Sequence, residues 1–183
     1  PAQVSADLAR LVDFQSEGMP LEYLQSLLSK HLIPHLLRYD QPQFQSMFNA
    51  FPTPEAKLGA QVVLDYNQGV TNWQVSPGGA VLELLCCEAL CKLFGLEQKA
   101  DATCMYSGTY ANQQALYMAL HRFAEHQGFD LAKKGIAGFE DPTRLAILAS
   151  KDAHFSLKHA VRTLGLGEDS LVLLPLDSER RVD

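Results

Sequence analysis

ATCMYSGTYAN, Ala102 to Asn112, is the stretch from which the fold can be argued. Its first half, Ala102, Thr103, Cys104 and Met105, is a short apolar run of the kind that forms a buried strand. Ser107-Gly108-Thr109 is a turn of small residues. Beyond it Leu116, Ala119, Leu120 and Phe123 recur at the i, i+3, i+4, i+7 spacing of one helix face. The expectation is strand, tight turn, helix. Such a junction points backbone N–H groups at an anion, and the helix dipole adds about half a positive charge there. Gly108 lets an anion come close to the backbone, and Ser107 or Thr109 can cap the helix or bond a phosphate. Capping alone explains the same residues, so the junction by itself assigns no ligand.

Downstream the pattern repeats. Arg144 to Ser150 (RLAILAS) fits a buried parallel strand. Lys151-Asp152-Ala153-His154 leaves its end, Phe155 to Leu164 turns helical, and Gly165 and Gly167 stop it. Leu171 to Leu176 is a third strand candidate. Strand, helix, strand, helix, strand from Ala102 onward predicts α/β with a parallel sheet. Ligands lie at the carboxyl ends of such strands, the edge where Ser107-Gly108-Thr109 and His154 both leave. Gly128 to Pro142, polar and holding three glycines, is expected to be exposed.

Upstream the chain reads as helical. Val4 to Phe14 is a short amphipathic helix, with Leu8, Leu11 and Val12 on one face. Leu21 to Arg38 is leucine-rich and interrupted or kinked by Pro34. His31 and His35 are four apart, but Pro34 disturbs their face and no cysteine or carboxylate lies nearby in sequence, which argues against a metal. Tyr39 to Pro54 combines Pro42, Pro52 and Pro54 with Tyr39, Phe44, Phe48 and Phe51, either a packed linker or an aromatic pocket wall. Glu55 to Val70 is helical, with Leu58, Val62, Val63 and Tyr66 on a stripe. Thr71 to Gly79 is a loop holding the only tryptophan, Trp73. Pro77 suits a helix entrance and Ser76 a cap. The helix from Ala80 to Phe94 has so wide an apolar face that burial on more than one side is expected.

Composition narrows the classes. At 47% hydrophobic and 20% charged, the 183 residues suit a soluble globular protein with one good core. A net charge of −6 without a basic run argues against a nucleic-acid surface. Val81 to Leu96 is too short and too charged for a bilayer span, and no signal-peptide pattern opens the chain. Cys86, Cys87 and Cys91 crowd one predicted helix and Cys104 stands apart, which reads as reduced thiols of a cytoplasmic protein. Cys87 and Cys91 share a helix face, but no second paired motif supports a metal, and none is expected. The polar end, Asp177 to Asp183, begins a unit rather than closing one, so the chain reads as a piece of a longer protein or one that pairs with another chain.

The order SPGGAVLE (Ser76 to Glu83), YSGTYAN (Tyr106 to Asn112) and DAHFSLKHAVRTLGLG (Asp152 to Gly167) resembles the pyridoxal-phosphate-dependent group II amino-acid decarboxylases. That family includes enzymes for aromatic amino acids, glutamate and 2,4-diaminobutyrate. The similarity runs from Gln41-Pro42-Gln43-Phe44 to Asp183. It implies fold type I, the α/β fold of the aspartate-aminotransferase-like transferases, here as an incomplete large domain (54–183) after a helical N-terminal arm (1–53). It also implies a homodimer and release of carbon dioxide from an L-amino acid through a cofactor imine.

The same resemblance places the family's phosphate-binding turn on Gly108, Thr109 and Tyr110, with Ser107 where many members have a second glycine. The ring-stacking histidine falls on His154. Phe48 matches an aromatic near the substrate pocket, Ala50 falls where some members use threonine, and Trp73 matches the loop before the long helix. The family's ring-nitrogen aspartate and imine-forming lysine lie beyond Asp183, so the 183 residues alone are expected to be inactive. Lys151 and Lys158 flank His154, but no motif places either under the cofactor. A non-catalytic dimerisation module, a degenerate relative, or an aminotransferase or desulfurase of the same fold are the rival readings. The similarity around SPGG and DAHFSLKHAVRTLGLG leans towards the diaminobutyrate-like branch.

Overall fold

The computed structural model describes residues 2–9, 18–45, 50–97 and 99–182. They form two compact units, Pro1–Asn67 and Gln68–Asp183.

The first unit is helical. Helix α1 spans Ala2–Ala9, and α2 spans Leu21–Leu27. Leu11 and Val12 of the expected first helix lie outside the described residues, as does Phe48. Helix α2 runs on through a wide π turn, Leu28–Leu32, and a tight 3-10 turn, Ile33–His35, before Leu36 turns extended. Pro34 is the physical cause. It has no N–H to donate, and its ring would collide with the carbonyl four residues back, so the helix widens, tightens and stops. Helix α3, Pro54–Tyr66, begins on a Thr53 side chain that accepts from the Ala56 N–H at 3.3 Å. It ends at Asn67, which takes the left-handed conformation (φ 44°). The helix therefore ends four residues earlier than the 55–70 pattern suggests.

The second unit holds helices α4 (Pro77–Leu93), α5 (Gly108–His126), α6 (Leu131–Lys134) and α7 (Ser156–Thr163). Strands β1 (Ile147–Ser150) and β2 (Leu171–Leu174) pair in parallel, Ile147 opposite Leu171 and Ser150 opposite Leu174. Helix α7 is the crossover between them, and α5 packs against α7. Leu120 and Ala124 of α5 form the core with Leu131 and Phe139, and Phe129, Leu145, Leu164 and Leu166 close over it. Ala160 and Val161 of α7 are completely buried.

Four expectations are corrected. Residues 102–105 form no strand, because no partner strand lies beside them among the described residues and a strand exists only through its ladder. The 128–142 segment is not simply exposed. Leu131 and Phe139 are buried, and Phe139 meets Phe129 edge-on at 4.8 Å and stacks on Phe123 at 5.5 Å. Two large apolar side chains outweigh the polarity around them. Helix α4 is not buried on several sides. Cys87 and Cys91 are buried, while Leu82, Leu84, Leu85, Leu93 and Phe94 are more than half exposed. Its apolar surface has no counterpart among the described residues to cover it. Finally, Ser76 precedes α4 but makes no cap bond. Its hydroxyl pairs with the Gln68 side chain at 3.0 Å and is buried.

Candidate functional site

The N-terminus of α5 begins on a small-residue turn, Ser107 to Thr109. Ser107 is in extended conformation, and its hydroxyl accepts from the Tyr110 N–H at 3.4 Å, a long bond. The first ladder bond of the helix runs from the Ala111 N–H to the Ser107 carbonyl at 2.9 Å. The N–H groups of Gly108 and Thr109 precede it and lie outside the helix ladder. A Cβ placed on Gly108 would meet nothing within 4 Å, so the backbone there is open to a ligand. These features suit a phosphate group: open backbone donors, a hydroxyl, and the positive end of a 19-residue helix. Tyr110 is half-exposed and stands 6.4 Å from the almost wholly exposed Tyr106 ring.

His154 stands between β1 and α7. Its loop is fixed by several bonds. The Lys151 N–H donates to the Leu174 carbonyl at 3.1 Å, extending the β1–β2 ladder by one residue. The Ser150 hydroxyl accepts from the Asp152 N–H at 3.1 Å, and the Ser150 carbonyl accepts from the Ala153 N–H at 2.9 Å. Arg180 reaches Asp152 at 2.6 Å from a residue in left-handed conformation. The His154 Nδ1 accepts from the Ser156 N–H at 3.2 Å, and the Phe155 ring lies 4.1 Å away, centroid to centroid.

The two segments meet. Asn112, in the second turn of α5, donates from Nδ2 to the hydroxyl of Ser156, the first residue of α7, at 2.8 Å. That bond ties the opening turns of α5, which follow Ser107, to the start of α7, which follows His154. Ala50 is exposed in the first unit; Trp73 is exposed in the second, on a shallow apolar groove with Pro77, Val81, Leu82 and Leu85. Sequence reading missed Asn112 and Ser156. No local signal marked them, since polar residues are ordinary at helix starts and their bond spans 44 positions. No group of three or more His, Cys, Asp or Glu gathers for a metal among the described residues.

No protein-family model matches the chain. L-2,4-diaminobutyrate decarboxylase of Rhizobium meliloti (strain 1021) is 29% identical over 132 residues, 72% of this chain and 24% of that protein. A crystal structure of the glutamate decarboxylase domain of diaminobutyrate-pyruvate transaminase and L-2,4-diaminobutyrate decarboxylase from Vibrio parahaemolyticus superposes with a TM-score of 0.90. That match has 22% identity and covers all of this chain and 39% of the other. The fold is that of the group II amino-acid decarboxylases. It is fold type I, present here in part. The Oryza sativa TDC structure with PLP and tryptamine agrees, with a TM-score of 0.80, 19% identity, and coverage of 98% of this chain and 36% of the other. The matches thus cover between about a quarter and two fifths of the group II decarboxylases concerned. Among the described residues no helix is long and apolar enough to cross a membrane.

Proposed function

We propose that these 183 residues are the N-terminal part of a cytoplasmic, homodimeric, pyridoxal-phosphate-dependent amino-acid decarboxylase. The observation that carries this reading is the convergence of the open α5 turn and the His154 loop, tied by the Asn112–Ser156 bond. Bound there, pyridoxal phosphate would act as the electron sink that lets carbon dioxide leave an amino acid.

The chain's own residues have separate tasks. Backbone N–H groups of Gly108 and Thr109, with the Ser107 and Thr109 hydroxyls, would hold the phosphate, with Tyr110 beside them. His154 would stack on the cofactor ring and could hold or move a proton through its imidazole. Phe48, Ala50 and Trp73 contribute to the substrate pocket, and residues 1–53 form the arm that packs on the partner subunit. The lysine that anchors the cofactor and the aspartate that faces its ring nitrogen come from sequence outside these residues, so this chain alone turns over no substrate. The substrate is an L-amino acid. The diaminobutyrate-like class is favoured by the SPGG (Ser76 to Gly79) and DAHFSLKHAVRTLGLG segments and by the names of the Rhizobium and Vibrio relatives.

The test uses the longer protein that carries this chain. Supplied with pyridoxal phosphate, it should retain cofactor after borohydride reduction and release carbon dioxide from L-2,4-diaminobutyrate or a related L-amino acid. His154→Ala should lower kcat/KM by roughly a hundredfold or more. A protein that retains no cofactor and releases no carbon dioxide would sink the reading.

A further inference from the structure

We infer that Asn112 and Ser156 are positioning residues that fix the tautomer and orientation of the His154 ring from the neighbouring helix. The inference rests on the proposed function for what the ring then does, but its geometry stands without any cofactor. Two hydrogen bonds joined through one buried residue make the connection. The Asn112 amide donates to the Ser156 hydroxyl at 2.8 Å, Ser156 is completely buried, and the Ser156 N–H donates to the His154 Nδ1 at 3.2 Å.

A backbone N–H is a donor only, so the atom that accepts from it carries no proton. Nδ1 is therefore the unprotonated nitrogen, and the neutral ring carries its proton on Nε2. The direction of that N–H depends on where the first residue of α7 sits. A buried serine clasped by an asparagine on α5 has little freedom to shift. The Phe155 ring, 4.1 Å from the imidazole, limits its rotation as well. The element that carries the phosphate turn thus also sets the ring opposite it. Asn112 lies only four residues from Gly108, within about one helical turn of the open donors. A shift of one group is carried to the other, so phosphate grip and ring placement are set together.

The longer protein labelled with ring-15N histidine tests this. In the wild type the His154 signal, assigned by its loss in His154→Gln, should show a pyridine-like Nδ1 and a pyrrole-like Nε2. In Asn112→Ala the Nδ1-protonated form should rise roughly five- to tenfold, the bias one neutral hydrogen bond supports. Ser156→Ala, which adds no volume, should give the same change. The double variant should go no further than either single, because both remove one connection. A wild-type signal with Nδ1 protonated would overturn the inference, as would unchanged nitrogen shifts in either folded variant. Each reading is made without added pyridoxal phosphate. A protein that shows the expected shifts yet binds no cofactor refutes the proposed function and leaves the positioning role standing.

Discussion

Cys87 and Cys104 show how position alone separates two like side chains. Their sulfurs are 3.8 Å apart, Cys87 buried in α4 and Cys104 exposed three residues before Ser107. Burial pushes the Cys87 thiol up, and the hydrogen bond with Cys104 adds to that. The thiolate is the nucleophile, so Cys87 should be alkylated by iodoacetamide much more slowly than the exposed Cys86 and Cys104. Mass spectrometry of a time course checks this, and equal rates for Cys86 and Cys87 would contradict it. Gly78 and Gly79 make a second contrast of neighbours. A Cβ on Gly79 would come within 2.5 Å of the Ser76 hydroxyl and 3.0 Å of Val70. The serine would have to turn away and give up Gln68. Gly79→Ala should therefore cost about 1–2 kcal/mol, overpacking outweighing the better helix propensity. Gly78 meets nothing within 4 Å, and Gly78→Ala should be neutral or stabilising by up to about 1 kcal/mol. Thermal denaturation of the pair decides, and equal effects would refute the packing argument.

Elements were legible in the sequence wherever a pattern carried its own ending. Helix α5 was readable from the spacing of Leu116, Ala119, Leu120 and Phe123 and from a small-residue start, and Ser107 does bond the Tyr110 N–H. Strands β1 and β2 were readable as short apolar runs bounded by turns. The 128–142 segment was misread because three glycines and several charges mask Leu131 and Phe139, and a long-range core contact leaves no local period. The same holds for Asn112 and Ser156, whose bond spans 44 positions. Helix α7 adds a prediction at this scale. Glu168 pairs with Lys158 at 2.7 Å and with Arg162, closing the turn after α7 onto its exposed side. Bonds from the Lys158 ammonium and then the Arg162 guanidinium hold the Glu168 carboxyl below its usual range. The folded state then binds fewer protons there than the unfolded state, so the contribution is present above the ordinary carboxyl value of 4.5 and is lost as pH falls through the lower folded value. Wild type should exceed Glu168→Gln in stability at neutral pH by a small, salt-sensitive margin. That margin should close in acid. A difference that grows below pH 4.5 would reverse the sign of the argument.

The whole molecule poses a question of surface. Helix α4 leaves Leu82, Leu84, Leu85, Leu93 and Phe94 between 55% and 77% exposed, on a helix whose sequence suits an interior. A monomeric soluble protein rarely leaves so many large apolar side chains of one helix uncovered, because leaving one such side chain in water costs about 1.5–3 kcal/mol. This is also where sequence reading reached its limit. It identified an apolar helix correctly, but burial depends on what lies alongside, and these residues do not supply it. The relatives this chain matches are between about two and a half and three times as long. The apolar face predicts behaviour for the 183 residues on their own. They should bind a hydrophobic fluorescent dye and self-associate as concentration rises. Replacing Leu84 and Leu93, at 62% and 77% exposure, by glutamate should weaken both effects without unfolding α5 and α7, because neither side chain joins the Leu120–Phe139 core. In the longer protein the same pair of changes should disrupt assembly or folding, since there these opposite sides of α4 have to be covered. Sedimentation of the two forms, with and without the substitutions, separates these outcomes. A short chain that stays monomeric and dark to the dye, or a longer protein indifferent to both glutamates, would mean that α4 is a solvent-facing helix after all.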